Sequence, residues 1–377
     1  MVQLSPTTHR SLLEMEGGLR DIDASPPGNL AVTKDFASKR IGAFYDAARL
    51  QLLATWARHS PRHLLQFHMA NTVSGVLEEW CDYAPGIVAL RLCEGVSVGE
   101  EIIDRREALE PAAFKMLRTD SLDFKKLIKG RALDFSCVSG AKIQYLRPLF
   151  NARDPSSVRG KQEMFDLLQK LNSEVSKLDE FRVPEVFLEA CSVFTSELIR
   201  NTQEHATKDC YGRPYIEHVE GLLISWTQLE GEAYERDFQG HPRLREFWTR
   251  ETGAEHGQPL RSLQVSFFDT GPGIAGRATG RDLADIPPAV ERDALLRSLK
   301  KNASTKRETG AGNGYPEVLE RLRQVGGLMS IRTGRLRVFQ AFSPNEQRDV
   351  FAFDDWADEL LAPATGTVVS IILPIRR

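Results

Sequence analysis

The chain has 377 residues, long enough for two domains of ordinary size, and its 41% hydrophobic and 27% charged residues are typical of a soluble globular protein. Its formal net charge of −3 excludes an overall electrostatic attraction to nucleic acid or to an anionic membrane, so such a partner would need a local patch. No run approaches the roughly 20 apolar residues that span a bilayer, and the N-terminus lacks the apolar region of a signal peptide. We therefore expect a cytoplasmic protein without a membrane segment.

The cysteines are scattered along the chain, at Cys81, Cys93, Cys137, Cys191 and Cys210. No two of them form a Cys-x-x-Cys pair, and none has a nearby histidine at zinc-ligand spacing. This pattern is typical of reduced thiols in a cytosolic protein.

The N-terminal part predicts an arm followed by a small α/β domain. Residues 1–35 contain Ser-Pro and Ser-Pro-Pro-Gly turns and few clustered apolar residues, which favours a mobile or irregular arm. Beyond the arm, helices and strands alternate, which indicates an α/β domain over residues 36–155. The expected helices cover residues 40–56, 72–80 and 141–150, and the expected strands cover residues 64–69, 87–92 and 132–136.

One segment of this domain is rich in bases. Between residues 115 and 147 three aspartates stand against Lys115, Arg118, Lys125, Lys126, Lys129, Arg131, Lys142 and Arg147. The segment is either a binding face for an acidic ligand or an ordinary solvated surface, since no aromatic stacking platform accompanies it. Nearby, Asp134, Ser136 and Ser139 either present groups to a ligand or cap the following helix.

A polar segment broken by Pro155, residues 151–157, marks the boundary to a second domain over residues 160–377. The connection over residues 230–262 is unusually long, and connections of that length are generally functional or disordered. The expected helices of this domain cover residues 161–178, 184–205 and 319–325, and the expected strands cover residues 219–229, 263–268, 328–332, 337–342 and 365–374.

Three motifs in the second domain carry chemistry. Glu197, Asn201 and His205 fall at i, i+4 and i+8 of a helix, so a carboxylate, a carboxamide and an imidazole share one stripe. A strand then ends in Asp-Thr-Gly-Pro-Gly-Ile at residues 269–274. The third motif, Thr-Gly-Ala-Gly-Asn-Gly-Tyr at residues 309–315, opens a helix.

In this order, and followed by a closing Gly-Thr strand, the motifs resemble the Bergerat-fold ATP-binding domain. Gyrase, the heat-shock chaperone class, sensor histidine kinases and MutL proteins share this domain and form the GHKL superfamily. The resemblance covers residues 178–377. It implies an α+β fold in which helices cover an antiparallel-rich sheet, with the smaller α/β domain placed N-terminally. It also implies ATP and Mg²⁺ as ligands.

The resemblance gives each residue of the first motif a role. Asn201 takes the Mg²⁺ position, where a carboxamide oxygen joins phosphate oxygens and waters around a hard octahedral ion. Glu197 takes the place of the carboxylate that activates water in the ATP-hydrolysing members, which would contribute roughly 10²–10⁴-fold in rate. His205 matches a position that faces the phosphates, or it caps the helix.

The second motif is assigned to adenine. Asp269 matches the carboxylate that accepts a hydrogen bond from the adenine amino group, and Thr367 resembles the hydroxyl that assists it through a water. Gly271 and Gly273 let the backbone turn tightly beneath the base, and Ile274 is assigned to the same pocket.

The third motif and the segment before it are assigned to the phosphates. Residues 275–309 resemble the ATP lid, with Thr305 in the pocket and Lys306 as the γ-phosphate cation, although neighbouring bases compete with Lys306 for this role. Those competitors are Lys300, Lys301 and Arg307. The glycine motif lets backbone N–H groups approach the phosphates. Its assigned residues are Gly310, Gly312, Asn313 and Gly314.

The sequence also departs from its relatives. Tyr315 and Pro316 follow the last glycine where many relatives have leucine, which leaves the subfamily open. Residues 160–196 contain no histidine, which argues against an autophosphorylating sensor kinase, and too little chain follows Pro374 for the transducer domain of gyrase or MutL.

Three functions remain open from the sequence. The first is a slowly hydrolysing ATP switch, whose ordered lid alters contacts with the N-terminal domain, a second copy or a partner. The second is an ATP-sensing interaction module without turnover. The third is a serine/threonine-type protein kinase of the same fold.

Overall fold

The structure is a computed structural model that describes residues 2–4, 9–67, 73–139, 148–151, 154, 157–178, 183–215, 217–253, 258–300 and 314–375. Helices pack on two β-sheets, one of them wholly antiparallel, so the predicted α+β fold class is confirmed. None of the described helices combines the length and the apolar character needed to cross a bilayer.

The smaller sheet belongs to the N-terminal part of the chain. Its strands are β1 (Val2–Leu4), β2 (Leu30–Val32), β3 (Leu64–Phe67), β4 (Gly95–Val98) and β5 (Glu101–Asp104). The first four are parallel neighbours in chain order, and β5 pairs antiparallel with β4. The helices of this part are α1 (Leu12–Ala24), α2 (Asp35–Ser38), α3 (Ala43–His59), α4 (Val73–Cys81), α5 (Ala84–Leu92), α6 (Arg105–Ala108), α7 (Ala112–Asp120) and α8 (Phe124–Leu127).

The larger sheet has seven strands. They are β6 (Ala132–Val138), β7 (Val219–Leu229), β8 (Leu260–Asp269), β9 (Gly327–Gly334), β10 (Leu336–Phe342), β11 (Asp354–Asp355) and β12 (Ala364–Pro374). Their order is β11-β10-β9-β12-β8-β7-β6, and every neighbouring pair is antiparallel. The accompanying helices are α9 (Lys161–Leu178), α10 (Glu185–His205), α11 (Gly231–Ala233), α12 (Pro242–Thr252), α13 (Gly273–Thr279), α14 (Pro288–Lys300) and α15 (Gly314–Val325).

Helices cover both faces of the larger sheet. On one face, Leu168 of α9 and Leu188 of α10 lie against Trp226 and Val265. On the other face lies α3, which packs across β7, β8 and β12. One continuous hydrophobic cluster joins the residues of both parts of the chain.

The prediction of an irregular arm over residues 1–35 is wrong. Ser11 begins α1 with a capping box, in which its hydroxyl accepts from the Glu14 N–H at 3.2 Å and Glu14 accepts from the Ser11 N–H at 2.9 Å. The prolines and glycines on either side of this helix favoured turns, so its short run of apolar residues at helical spacing was not recognised as a helix. The buried residues at helical spacing are Leu12, Met15, Leu19 and Ile22.

A second difference concerns residues 87–92, where a strand was expected and α5 is found. The run of Ile87, Val88, Ala89 and Leu90 is buried on every side. Such a run has no polar face, so periodicity cannot separate a buried helix from a buried strand. Pro85, in the first turn of α5, marks the helix start.

The chain passes from the smaller sheet to the larger one before residues 151–157, so the predicted domain boundary does not separate the two sheets. Strand β6, expected in the N-terminal domain, pairs with β7 as an edge strand of the larger sheet. Every residue of β6 is buried. Such a strand must be covered on both of its faces, and its place in the larger sheet gives it that cover. The described part of the long connection is also ordered: α12 packs on β10, and Phe238 lies 6.2 Å from Phe44 of α3 between ring centroids.

Within the basic segment, Lys115 is not part of an exposed face. Lys115 is buried and donates to Asp134 at 2.6 Å, and Asp134 also accepts from Ser136 at 2.8 Å. Lys129 pairs with Asp82 at 2.6 Å. The predicted helix over residues 141–150 falls mostly outside the described residues, together with Lys142 and Arg147.

A buried ion cluster fixes α1 to the larger sheet. Glu16 accepts from Arg332 of β9 at 2.8 and 2.9 Å and from Arg337 of β10 at 3.0 Å. Burial opposes ionisation of Glu16, but the charges of Arg332 and Arg337 outweigh it and hold the pKa of this carboxyl below its usual value.

We expect Glu16→Gln to lower the free energy of unfolding by about 3–5 kcal/mol, because it removes the charge that compensates two buried guanidinium groups. Urea unfolding monitored by circular dichroism measures the change. Asp21→Asn, an exposed carboxylate on the same helix, is the matched control and should change little. A Glu16→Gln protein as stable as the control would contradict the role of the cluster.

Candidate functional site

The stripe predicted on α10 meets the glycine motif at α15. Helix α10 begins after Pro184 and runs for 21 residues, with its apolar side against the sheet. Asn201 is half-buried, and a Cβ atom on Gly314 would lie 3.0 Å from its Nδ2 atom. The carboxamide therefore touches the first residue of α15. The side chain of His205 lies outside the described part of the structure.

Glu197 is buried one turn before Asn201 on α10 and lies among cations. Its carboxylate oxygens accept from Nη1 of Arg200 at 3.1 and 3.2 Å. Nζ of Lys161, at the start of α9, lies 3.7 Å from Glu197 Oε1 and 2.5 Å from the carboxylate of Glu317 on α15. Three helices thus meet at this carboxylate.

Asp269 ends β8 and brings the second motif to the end of α10. Its Oδ1 atom accepts from the Gly271 N–H at 2.9 Å, and the backbone N–H of Thr367 also supports the carboxylate. A Cβ atom on Gly271 would lie 2.7 Å from the carbonyl oxygen of Ala206, the residue that caps α10. Only glycine allows this approach of strand turn and helix end.

Thr333, which the sequence did not single out, ties this turn to β12. Its Oγ1 atom accepts from the Ile274 N–H at 3.1 Å and lies 3.2 Å from the Thr367 hydroxyl. Gly273 has a φ of +75°, and a Cβ atom there would lie 2.9 Å from Thr333 Oγ1. Thr333 stands opposite Thr367 in the antiparallel ladder, so only the pairing register reveals it.

Gly366 lies where the closing strand passes Asp269. Its φ is +69°, and a Cβ atom there would lie 2.0 Å from the Asp269 carbonyl oxygen. The glycine before Thr367 in the final strand is therefore required for steric reasons.

Two buried polar residues near Asp269, Glu220 and His218, were also not singled out from the sequence. Glu220 pairs opposite Asp269 between β7 and β8, and His218 Nε2 lies 3.2 Å from Glu220 Oε2. Burial raises the pKa of Asp269 from its ordinary value of 3.8 to about 6; the Gly271 N–H and His218 oppose this rise, and Glu220 adds to it. Perturbed carboxylates of this kind cluster at functional sites.

Tyr315 is the second residue of α15. Burial raises the pKa of its phenol, and the charge of Asp269 raises it further. The first turn of α15 therefore lies within electrostatic reach of Asp269, although the two are far apart in the sequence.

The segment predicted to be the lid is helical in its first part. Within it, α14 is fixed to the β9–β10 turn by Glu291, which is buried and accepts from the backbone N–H and the Nε of Arg335, each at 2.7 Å. Lys300 ends α14 and is exposed. The assigned residues that fall outside the described part are Thr305, Lys306, Gly310, Gly312 and Asn313, with the competing bases Lys301 and Arg307.

Comparisons of the chain with protein-family models, with curated proteins and with solved structures find no match. What the site can do therefore follows from its own side chains. Asp269 and Thr367 offer an acceptor and a hydroxyl to a flat polar ligand, and the first turn of α15 lies within electrostatic reach of Asp269. The N-terminus of a helix favours anions.

The site also sets limits on how a metal could be held. Within the described residues, no group of three or more histidine, cysteine, aspartate or glutamate side chains could hold a metal ion. Mg²⁺ does not need such a cage, since it binds through one or two protein oxygens together with substrate phosphates and waters. Asn201 fits that requirement only if a phosphate ligand comes with the metal.

We expect Asp269→Asn to stabilise the protein without ligand above pH 6. Between pH 4 and 6 the folded state binds more protons than the unfolded state, so the stability of the natural protein falls as pH rises through this window. The difference between 3.8 and about 6 corresponds to roughly 3 kcal/mol at most, and asparagine avoids it while keeping the oxygen that accepts from Gly271.

Thermal unfolding of both proteins at pH 4, 6 and 8 measures this effect. The advantage of Asp269→Asn should be small at pH 4 and reach its full size near pH 7. Asp285→Asn, a change at an exposed aspartate, should stay within about 0.5 kcal/mol at each pH. An advantage that is equal at all three pH values would show that burial of the charge is not the cause.

Proposed function

We propose that the chain is a GHKL-type protein that binds Mg²⁺-ATP, hydrolyses it slowly and uses it as a conformational switch for a partner. The observation that carries the proposal is the meeting of three motifs that are distant in the chain. Asn201 touches Gly314, Gly271 touches the end of α10, and Thr367 supports Asp269. Motifs that matched only by chance would not be expected to lie around the same helix.

The proposed roles of the binding residues follow from their chemistry. Asp269 accepts from the adenine amino group, which selects adenine over guanine. Asn201 gives Mg²⁺ a carboxamide oxygen, and the phosphates complete the coordination sphere with water. The phosphates lie at the N-terminus of α15, where the helix dipole and unpaired N–H groups favour negative charge.

Glu197 is the proposed general base, and its ion pair supports slow turnover. Both carboxylate oxygens of Glu197 accept from Arg200, so this ion pair competes with an attacking water for the carboxylate. Hydrolysis therefore requires that the bound nucleotide first weakens this pair.

The switch is supported by the contacts of α3 with the adenine side of the site. The Thr365 N–H donates to Thr55 Oγ1 at 2.9 Å, and Arg58 reaches the carbonyl oxygens of Glu217 at 2.6 Å and Thr270 at 3.4 Å. Both turns that flank Asp269 are thus bonded to a helix of the N-terminal part. A nucleotide that shifts these turns must act on α3.

A second candidate function is an ATP-sensing module without turnover. The pairing of Glu197 with Arg200 favours it, because an ion pair that persists in the complex leaves no free base. Binding of ATP without release of phosphate distinguishes this candidate from the ATPase.

Two variants of α10 test the proposal. Asn201→Ala should weaken Mg²⁺-ATP binding at least about tenfold, since it removes the protein ligand of the metal. Glu197→Gln should retain binding and lower phosphate release by roughly 10²–10⁴-fold. Isothermal titration calorimetry and a phosphate-release assay measure the two effects, with Gln203→Ala on the same helix as control.

Each outcome decides between the candidates. If the natural protein binds no Mg²⁺-ATP at millimolar concentration, the proposal fails. If it binds ATP that stays intact over a long incubation, and Glu197→Gln changes nothing, the sensing module is the better description.

A further inference from the structure

Lys161 joins three helices at the proposed phosphate end of the site. It is the first residue of α9, and its ammonium lies 2.5 Å from Glu317 of α15 and 3.7 Å from Glu197 of α10. No motif assigns Lys161 a role, since it lies outside the three motifs and belongs to a different helix.

The contacts of α10 with α15 place this lysine relative to the glycine motif. Asn201 meets Gly314, and one turn away on each helix Glu197 and Glu317 share Lys161. The two helices therefore run antiparallel, and Glu317, the carboxylate that holds the ammonium, lies about one helical turn, roughly 5 Å along the axis, from the start of α15. The flexible four-carbon stem of a lysine covers that distance.

The ion pair of Lys161 with Glu317 is not needed to hold the fold together. Its side chain is 43% exposed and that of Glu317 is 27% exposed, and exposed ion pairs contribute only about 0–1 kcal/mol. An ammonium in this position is free to exchange a carboxylate for a more highly charged anion. The terminal phosphate of ATP is such an anion, whereas ADP lacks it.

We propose that Lys161 is the residue that distinguishes ATP from ADP, by leaving Glu197 and Glu317 to contact the terminal phosphate. The inference rests on the proposed function, that ATP binds between α10 and α15. Departure of Lys161 takes one ion-pair partner from Glu197. Recognition of the third phosphate therefore also frees the proposed general base from one of its two cations.

The test compares the affinities for Mg²⁺-ATP and Mg²⁺-ADP by isothermal titration calorimetry. Lys161→Met should weaken ATP binding about tenfold or more, as expected for loss of a charge-assisted hydrogen bond, and leave ADP binding within about twofold. Lys170→Met, an exposed lysine on the same helix, is the matched control and should change neither affinity.

Two further variants keep the test decisive if Lys161→Met fails to fold. Lys161→Arg should preserve the preference for ATP, and Glu317→Gln should increase it, because Lys161 loses a competing carboxylate. An unchanged ratio of ATP to ADP affinity in Lys161→Met, or in Glu317→Gln, would overturn the inference.

The outcomes separate this inference from the proposed function. If Arg200→Gln changes the ratio and Lys161→Met does not, Arg200 is the discriminating cation and the inference is wrong while ATP binding stands. If the natural protein binds neither nucleotide, the proposed function and the inference both fail.

Discussion

The polar inner face of the seven-stranded sheet is the constraint on which the rest of the structure depends. Ser225 and Gln264 are fully buried there, and each would cost about 1–3 kcal/mol if left without a partner. The first turn of α3 meets this need, since the Ala43 N–H donates to Ser225 at 2.8 Å and the Phe44 N–H donates to Gln264 at 3.1 Å. Only the first turn of a helix has free backbone N–H groups, so α3 must begin over these two side chains.

With one face closed by α3, the opposite face is left to α9, α10 and α15, and the site forms at the end of α10. Asp269 points to this side from β8, and Gly271 and Gly314 let the strand turn and α15 approach the helix. Each glycine fits because a larger residue would push two layers apart. The chemistry of the site is therefore a consequence of how closely the layers pack.

The sequence predicted those parts that carry a local signal. The sequence predicts helices α9 and α10 and strands β7, β8 and β12 close to their observed bounds. The three motifs could also be ordered before their contacts were known. Prediction failed where the deciding contact is remote: α5 has no polar face, and β6 is assigned by its partner β7. Thr333, Glu220 and Lys161 likewise matter only through residues opposite them, which no spacing along the chain reveals.

The hydrogen bonds of Thr55 and Arg58 to the turns around Asp269 have a thermodynamic consequence. Suppose a molecule binds the N-terminal sheet and displaces α3, and so changes the affinity for nucleotide by some factor. Linkage then requires that nucleotide change the affinity for that molecule by the same factor. If nucleotide binds as proposed, the coupling through α3 is therefore equal in both directions.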